Sequence, residues 1–181
     1  MNYIGAIKAL VPDYAKDVRI NLDGVLGRST LPDSEVAAVA LASAYAARAP
    51  RLVAIIGESD ALTDVEKNAA LTAAALMAMN NVWYPFVEMS GDAELKSLPA
   101  QLRMQAYATH AGVDKRLFEL YALAASIIGK CHFCVQSHYA LLKQNGMTTE
   151  QLRDVGRIAA VIGAAANAIA IEHTADEAVA A

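Results

Sequence analysis

In the stretch GKCHFCVQSHYALL, residues 129–142, Cys131 and Cys134 stand three residues apart and His138 follows four residues later. These are the only two cysteines in the chain. The thiolate, not the thiol, attacks electrophiles, so a reactive cysteine needs positive charge or a base beside it. The stretch reads as the start of a helix, whose first turn offers free N–H groups and partial positive charge. On a helix turning about 100° per residue, Cys134 lies about 60° and His138 about 20° from Cys131, so the three share a face. His132 falls about 100° round, at the flank. Cβ atoms at i and i+3 are about 5–6 Å apart, and a disulfide wants about 3.5–4.5 Å. A modest adjustment in the first turn closes that gap, giving a local, reversible bond. His138, one turn beyond Cys134, is placed to take that thiol's proton or steady its anion, and Lys130 adds positive charge.

A base in apolar surroundings needs a partner of its own. Glu119 is the candidate, because it sits in the run LFELYALAA, where a carboxylate is out of place unless it is buried with a purpose. Along a continuous helix it would lie about 18 Å from Cys131. If the chain folds back at Gly129-Lys130 as a helical hairpin, Glu119 instead faces the level of His138 to Leu142. That geometry opens a Glu–His–Cys proton relay. Plainer readings stand beside it: two small buried cysteines, a core histidine, and a solvated Glu119 paired with Lys115 or Arg116. Zinc is a rival for the cysteines and a histidine. However, Cys131 and His138 are about 10.5 Å apart along a straight helix, and no second C-x-x-C completes a closed site. No metal ligand is therefore assigned. His110 and His173 read as capping or exposed, and Trp83, Tyr84, Tyr107 and Tyr121 as core or interface.

The elements that must position these residues are helices throughout, with no convincing alternating strand. Asn2 is placed to cap a first helix ended by Pro12, and a second is expected over 13–27. TLPDSEVAAVALASAYAARA begins the next, and a shorter one follows around RLVAIIGESD. Thr63 and Glu66 form a capping box for VEKNAALTAAALMAMNN. YPFVEMSGDAELKSLP is expected to be a loop, with a helix over 99–109 after it. Asp114 caps KRLFELYALAASII; Asn145-Gly146 ends the cysteine helix; Thr148 and Gln151 start the last one, ending near His173. LTAAALMAMNNVWYP overlays LYALAASIIGKCHFC without a gap, either an old duplication or two Ala/Leu-rich helices looking alike. Small residues at Gly156, Ala159, Ala160, Gly163 and Ala166 allow close approach, in the core or between subunits.

The 181 residues are enough for one helical domain, 1–181, with a substantial core. At 56% hydrophobic and 19% charged residues the chain is apolar, and the surplus points to an oligomer interface. IAAVIGAAANAIAI is too short to span a bilayer, and the N-terminus lacks the pattern of a secretory signal. Net charge is −4 with scattered Lys and Arg, which gives no surface for nucleic acid. The expected compartment is the cytoplasm, where a C-x-x-C is catalytic or metal-binding more often than a staple.

Glu119, Cys131-x-x-Cys134 and His138 together resemble the alkyl hydroperoxidase D family of the carboxymuconolactone decarboxylase-like superfamily. LVPDYAKDVRINLDGVL, LTAAALMAMNNVWYP, QLRMQAYA and LFELYALAASIIGKCHFCVQSHYALL are similar to that family's successive segments, in order. The resemblance implies an all-α bundle that oligomerises, commonly as a trimer. It implies reduction of organic hydroperoxides or hydrogen peroxide through a dithiol–disulfide cycle, with no bound cofactor. By the same resemblance Cys134 attacks the peroxide, Cys131 resolves the sulfenic acid, and Glu119 and His138 relay the proton through water. Dihydrolipoamide on a lipoylated acyltransferase would be the reductant, with a peroxiredoxin as a further partner. Some members have a histidine just before the second cysteine; here Phe133 stands there and His132 one place earlier. The helix terminus favours Cys131 as the more acidic thiol, whereas the resemblance assigns attack to Cys134. A non-redox decarboxylase-like enzyme and a redox-sensing module are the alternatives.

Overall fold

Helix α3 (Asp33–Ala46) is buried without a break from Glu35 to Ala44. A helix apolar on every side must be enclosed by others, and the surrounding elements do enclose it. In the computed structural model the backbone of residues 2–180 and the side chains of residues 2–172 are described. The chain opens with α1 (Tyr3–Leu10), a 3-10 turn (Asp13–Ala15), α2 (Lys16–Asn21) and a π turn (Leu22–Leu26). After α3 come α4 (Pro50–Gly57), α5 (Asp64–Ser90), α6 (Ala93–Ser97), α7 (Gln105–Thr109) and a 3-10 turn (His110–Gly112). The chain closes with α8 (Lys115–Gly129), α9 (His132–Gln144) and α10 (Thr149–Ala180). No strand occurs among the described residues, so the expected all-α class holds.

Helices α3, α5 and α8 pack against one another at the centre; α10 lies over α3 and α8, and α9 folds back on α8. The stretch of α10 from Thr149 to Glu172 is long and apolar enough to cross a membrane, yet half of it is buried inside the bundle. Gly163 lets α10 approach α8, since a Cβ there would lie 3.2 Å from Ile128 Cδ1, whereas Gly156 faces open space. Asp154 anchors α10 to the N-terminal third. Its buried carboxylate accepts the Thr30 N–H at 2.8 Å and the Thr30 hydroxyl at 3.0 Å, and pairs with Arg157 at 3.0 Å.

Three elements depart from the sequence expectation. The loop expected over YPFVEMSGDAELKSLP is helical at first, because α5 runs through Pro85 to Ser90. Proline removes one N–H and strains one turn, but here it does not end the helix. The stop is Gly91, left-handed at φ 64°. The helix expected over 99–109 shrinks to α7, as Gln101 adopts φ 51° and breaks any earlier helix. The helix expected over 13–27 is split between 3-10, α and π turns, the last turning Leu22, Val25 and Leu26 inward. Asn2 makes no side-chain cap. The caps at Thr63/Glu66, Asp114 and Thr148/Gln151 all form. The backbone of α10 continues past His173 to Ala180; the His173 side chain lies outside the described residues.

The hairpin at Gly129-Lys130 forms as expected, through a tight C-terminal motif. Lys130 N–H reaches Ile127 O at 3.2 Å, Cys131 N–H reaches Ser126 O at 3.3 Å, and Lys130 itself is left-handed at φ 54°. Asn81 of α5 clamps this end of α8 by donating to Ala125 O at 3.1 Å. Only glycine fits opposite it, since a Cβ on Gly129 would stand 2.0 Å from Asn81 Nδ2 and 2.7 Å from Asn81 Cβ.

Gly129→Ala is therefore expected to cost about 1–3 kcal/mol in urea unfolding through overpacking. Gly163→Ala, which meets only the tip of a flexible Ile128, should cost clearly less. Asp154→Ala is expected to cost about 1.5–3 kcal/mol, the worth of hydrogen bonds to a charged group. Burial raises the Asp154 pKa, but the Thr30 and Arg157 contacts outweigh it and hold the carboxyl below its usual range. Its stabilisation is complete above the unfolded value of about 3.9 and is lost as pH falls through the lower folded value. Urea midpoints measured across that acid range should fall in the wild type and lack this component in Asp154→Asn.

Candidate functional site

The two sulfurs meet because Cys131 is not in the helix. It is the N-cap of α9, extended at φ −81° and ψ 103°, and its sulfur accepts the Cys134 N–H at 3.3 Å. Helical angles counted from Cys131 therefore do not apply. The two Cα atoms lie 5.3 Å apart, and Cys131 and Cys134 are joined as a disulfide. The bond closes only the first turn of α9.

The two cysteines differ in surroundings. Cys131 is wholly buried, with its sulfur 3.9 Å from the carbonyl oxygen of Asn80 on α5. Cys134 lines a cleft of about 260 Å³ with Asn80, Tyr84, Met104, Tyr107, Phe133, Ser137 and His138. Phe133 stacks on Tyr84, their ring centres 4.4 Å apart, at the wall of this cleft. Cys134 is thus the sulfur that a small molecule in the cleft would meet first.

His138 follows one turn later on α9 and is buried. Its Nδ1 lies 2.6 Å from Glu119 Oε2, across the α8–α9 hairpin, and its Nε2 lies 3.2 Å from Met77 Sδ on α5. The other Glu119 oxygen, Oε1, accepts the hydroxyl of Tyr107. Burial of Glu119, only 1% exposed, would raise its pKa, but hydrogen bonds from His138 and Tyr107 and the charges of His138 and Lys115 hold it below the usual carboxylate range. An ionised carboxylate only accepts, so the proton between the two groups belongs to Nδ1. Nε2, beside Met77 Sδ, is the ring nitrogen that Glu119 does not engage.

The structure thus brings Glu119, His138 and the cysteine pair to one place. It sends His132 elsewhere: its Nδ1 faces Glu88 Oε1 at 3.3 Å on the exposed outer side of α9. Arg116 pairs with Glu35 and not with Glu119. His110 packs against Phe118, ring centres 6.0 Å apart. Tyr121 is wholly buried and Trp83 packs against Phe86, as core and surface aromatics. Tyr84 and Tyr107, read from sequence as core or interface, instead line the cleft. No sequence signal marks Tyr107 or Met77: the first follows an irregular segment, and the second is one more buried residue on an apolar helix. Among the described residues no three His, Cys, Asp or Glu side chains converge in a metal-binding arrangement.

Comparison with known proteins bears on the same residues. The carboxymuconolactone decarboxylase family model matches residues 93–177, a segment that holds Tyr107, Glu119, both cysteines and His138. The alkyl hydroperoxide reductase AhpD of Rhodospirillum centenum is 44% identical over 171 residues, covering 93% of this chain and 91% of that protein. The AhpD of Maricaulis maris is 45% identical over 172 residues, covering 93% and 98%. That of Coxiella burnetii is 42% identical over 171 residues, covering 92% and 96%. Identity at this level over more than nine-tenths of the chain places it in the AhpD family.

Proposed function

We propose that the chain is a hydroperoxide reductase that cycles between dithiol and disulfide. The observation that carries this reading is Cys134 on the cleft wall, with His138 one turn behind it and hydrogen-bonded at 2.6 Å to the buried Glu119. In the reduced protein the Cys134 proton passes through water to His138 Nε2, while Glu119 holds the Nδ1 proton and steadies the resulting charge. The thiolate attacks the outer oxygen of the hydroperoxide and the O–O bond breaks. The alkoxide leaves with the proton returned by His138, giving an alcohol and a Cys134 sulfenic acid. The Cys131 thiol then attacks the Cys134 sulfur; the S–S bond forms, and hydroxide leaves with the Cys131 proton as water. Two electrons from dihydrolipoamide restore both thiols as the lipoyl group closes to its own disulfide.

In this reading no resident metal or cofactor takes part, and the dihydrolipoyl arm arrives on an acyltransferase. Organic hydroperoxides or hydrogen peroxide are the oxidants, a peroxiredoxin is a further partner, and the cytoplasm is the compartment. A homo-oligomer, commonly a trimer in this family, is favoured by a seam on α5. Ala75, Met79, Val82, Phe86 and Met89 recur there at alternating four- and three-residue spacing, and Phe86 and Met89 are 50% and 80% exposed. The names of the relatives support the chemistry.

Stopped-flow oxidation of the reduced protein by an organic hydroperoxide, followed by recovery with dihydrolipoamide, tests the reading. Turnover is expected to vanish in Cys134→Ser and Cys131→Ser, and to fall about 10²–10⁴-fold in Glu119→Gln through loss of acid–base assistance. Peroxide consumption that survives both serine substitutions would exclude a thiol cycle. Oxidation that changes the oligomer without turnover would favour a redox sensor.

A further inference from the structure

We propose that Tyr107 is a positioning residue for this chemistry: its hydroxyl, carried to the site on α7, keeps Glu119 in the ionised, acceptor-only form that His138 requires. The inference rests on the hydroperoxide-reductase reading for its consequence, and on the geometry of Glu119 for its cause. A carboxylate that is 1% exposed has lost its hydration and needs a donor at each oxygen. Oε2 has His138 Nδ1 at 2.6 Å. Oε1 has the Tyr107 hydroxyl.

The surroundings supply no substitute. The groups bearing on Glu119 are His138 from α9, Tyr107 from α7 and Lys115, one turn earlier on α8 and exposed; α5 contributes the uncharged Met77 behind the His138 ring. Tyr84, also from α5, bears on Tyr107. With the hydroxyl gone, Oε1 is buried without a donor, burial dominates, and the carboxyl keeps its proton to higher pH.

The chain is shaped to hold this hydroxyl in place. The Tyr107 ring stands edge-on to Phe118, the residue next to Glu119, at 5.5 Å and 90°. Immediately after α7, His110 and Ala111 are both left-handed, at φ 51° and 49°, a costly conformation for consecutive residues with a Cβ. That double bend turns the chain from α7 into α8. Burial and the neighbouring Glu119 raise the pKa of the Tyr107 phenol, so it remains a donor through the working pH range.

Tyr107→Phe keeps the ring against Phe118 and deletes only the hydroxyl. Two profiles against pH decide the matter in reduced protein: alkylation of Cys134 by iodoacetamide in a Cys131→Ser background, and kcat/KM for cumene hydroperoxide with dihydrolipoamide in the two-cysteine protein. The expected result is an acid limb moved to higher pH in both, with rates about tenfold down on the acid side, as for loss of one charge-assisted hydrogen bond. Both should approach the parent protein on the alkaline side. Superimposable profiles would overturn the proposal. So would a loss that is equal at every pH, which would make Tyr107 a proton donor to the leaving alkoxide or a simple packing residue. If the parent consumes no peroxide but its alkylation profile still shifts on substitution, the reductase reading fails while the placement of Tyr107 stands.

Discussion

A carboxylate enclosed by helices is the constraint on which the rest of the site depends. Removing an ion from water costs several kcal/mol, and Glu119 recovers that only through charge-assisted hydrogen bonds at both oxygens. Neither donor is on its own helix. One comes from α9 and obliges the chain to reverse at Lys130; the other comes from α7 and obliges it to bend at His110 and Ala111. Met77 Sδ of α5 lies 3.2 Å from the second ring nitrogen of His138, against the same edge of the imidazole that would exchange a proton with Cys134. Four elements therefore converge on one side chain. The left-handed residues among them mark where the backbone is strained to make that convergence.

The cysteine pair exploits the same reversal. Cys131 belongs to two motifs at once, its N–H closing the end of α8 and its sulfur capping the start of α9. A residue in that position is extended, which brings the sulfurs within bonding reach without distorting a helical turn. Because the disulfide spans one turn only, its formation places no tie between separate helices. The proposed cycle between dithiol and disulfide therefore requires no movement of one helix against another. The two sulfurs are also unequal: one is sealed against an α5 carbonyl, and the other faces the cleft.

The pairing of Glu119 with His138 was legible in the sequence because a helical hairpin is symmetric about its turn, so counting outward from Gly129-Lys130 predicts partners. The caps were legible for a similar reason: a Thr-x-x-Glu or Thr-x-x-Gln pair satisfies its own backbone and needs no distant help. What failed was local inference where packing decides. Pro85 reads as a breaker, yet α5 continues through it to Ser90. Cys131 reads as a helical residue, yet the turn places it outside. Tyr107 had no signal, since it reaches Glu119 through an irregular segment whose path follows no periodicity. The relatives carry the family assignment across these gaps, but the contact between Tyr107 and Glu119 comes from the three-dimensional arrangement alone.

The claim that a buried carboxylate, acting through one imidazole, makes Cys134 reactive is tested most directly by titrating that thiol. Ultraviolet absorbance of the thiolate, followed against pH in reduced protein carrying Cys131→Ser, reports a single sulfur. With Glu119 in place the thiolate should form well below the value of about 8.5 for free cysteine, and Glu119→Gln should move the midpoint back toward it. Coincident titrations of the two proteins, or a Cys134 that titrates as free cysteine in both, would contradict the account.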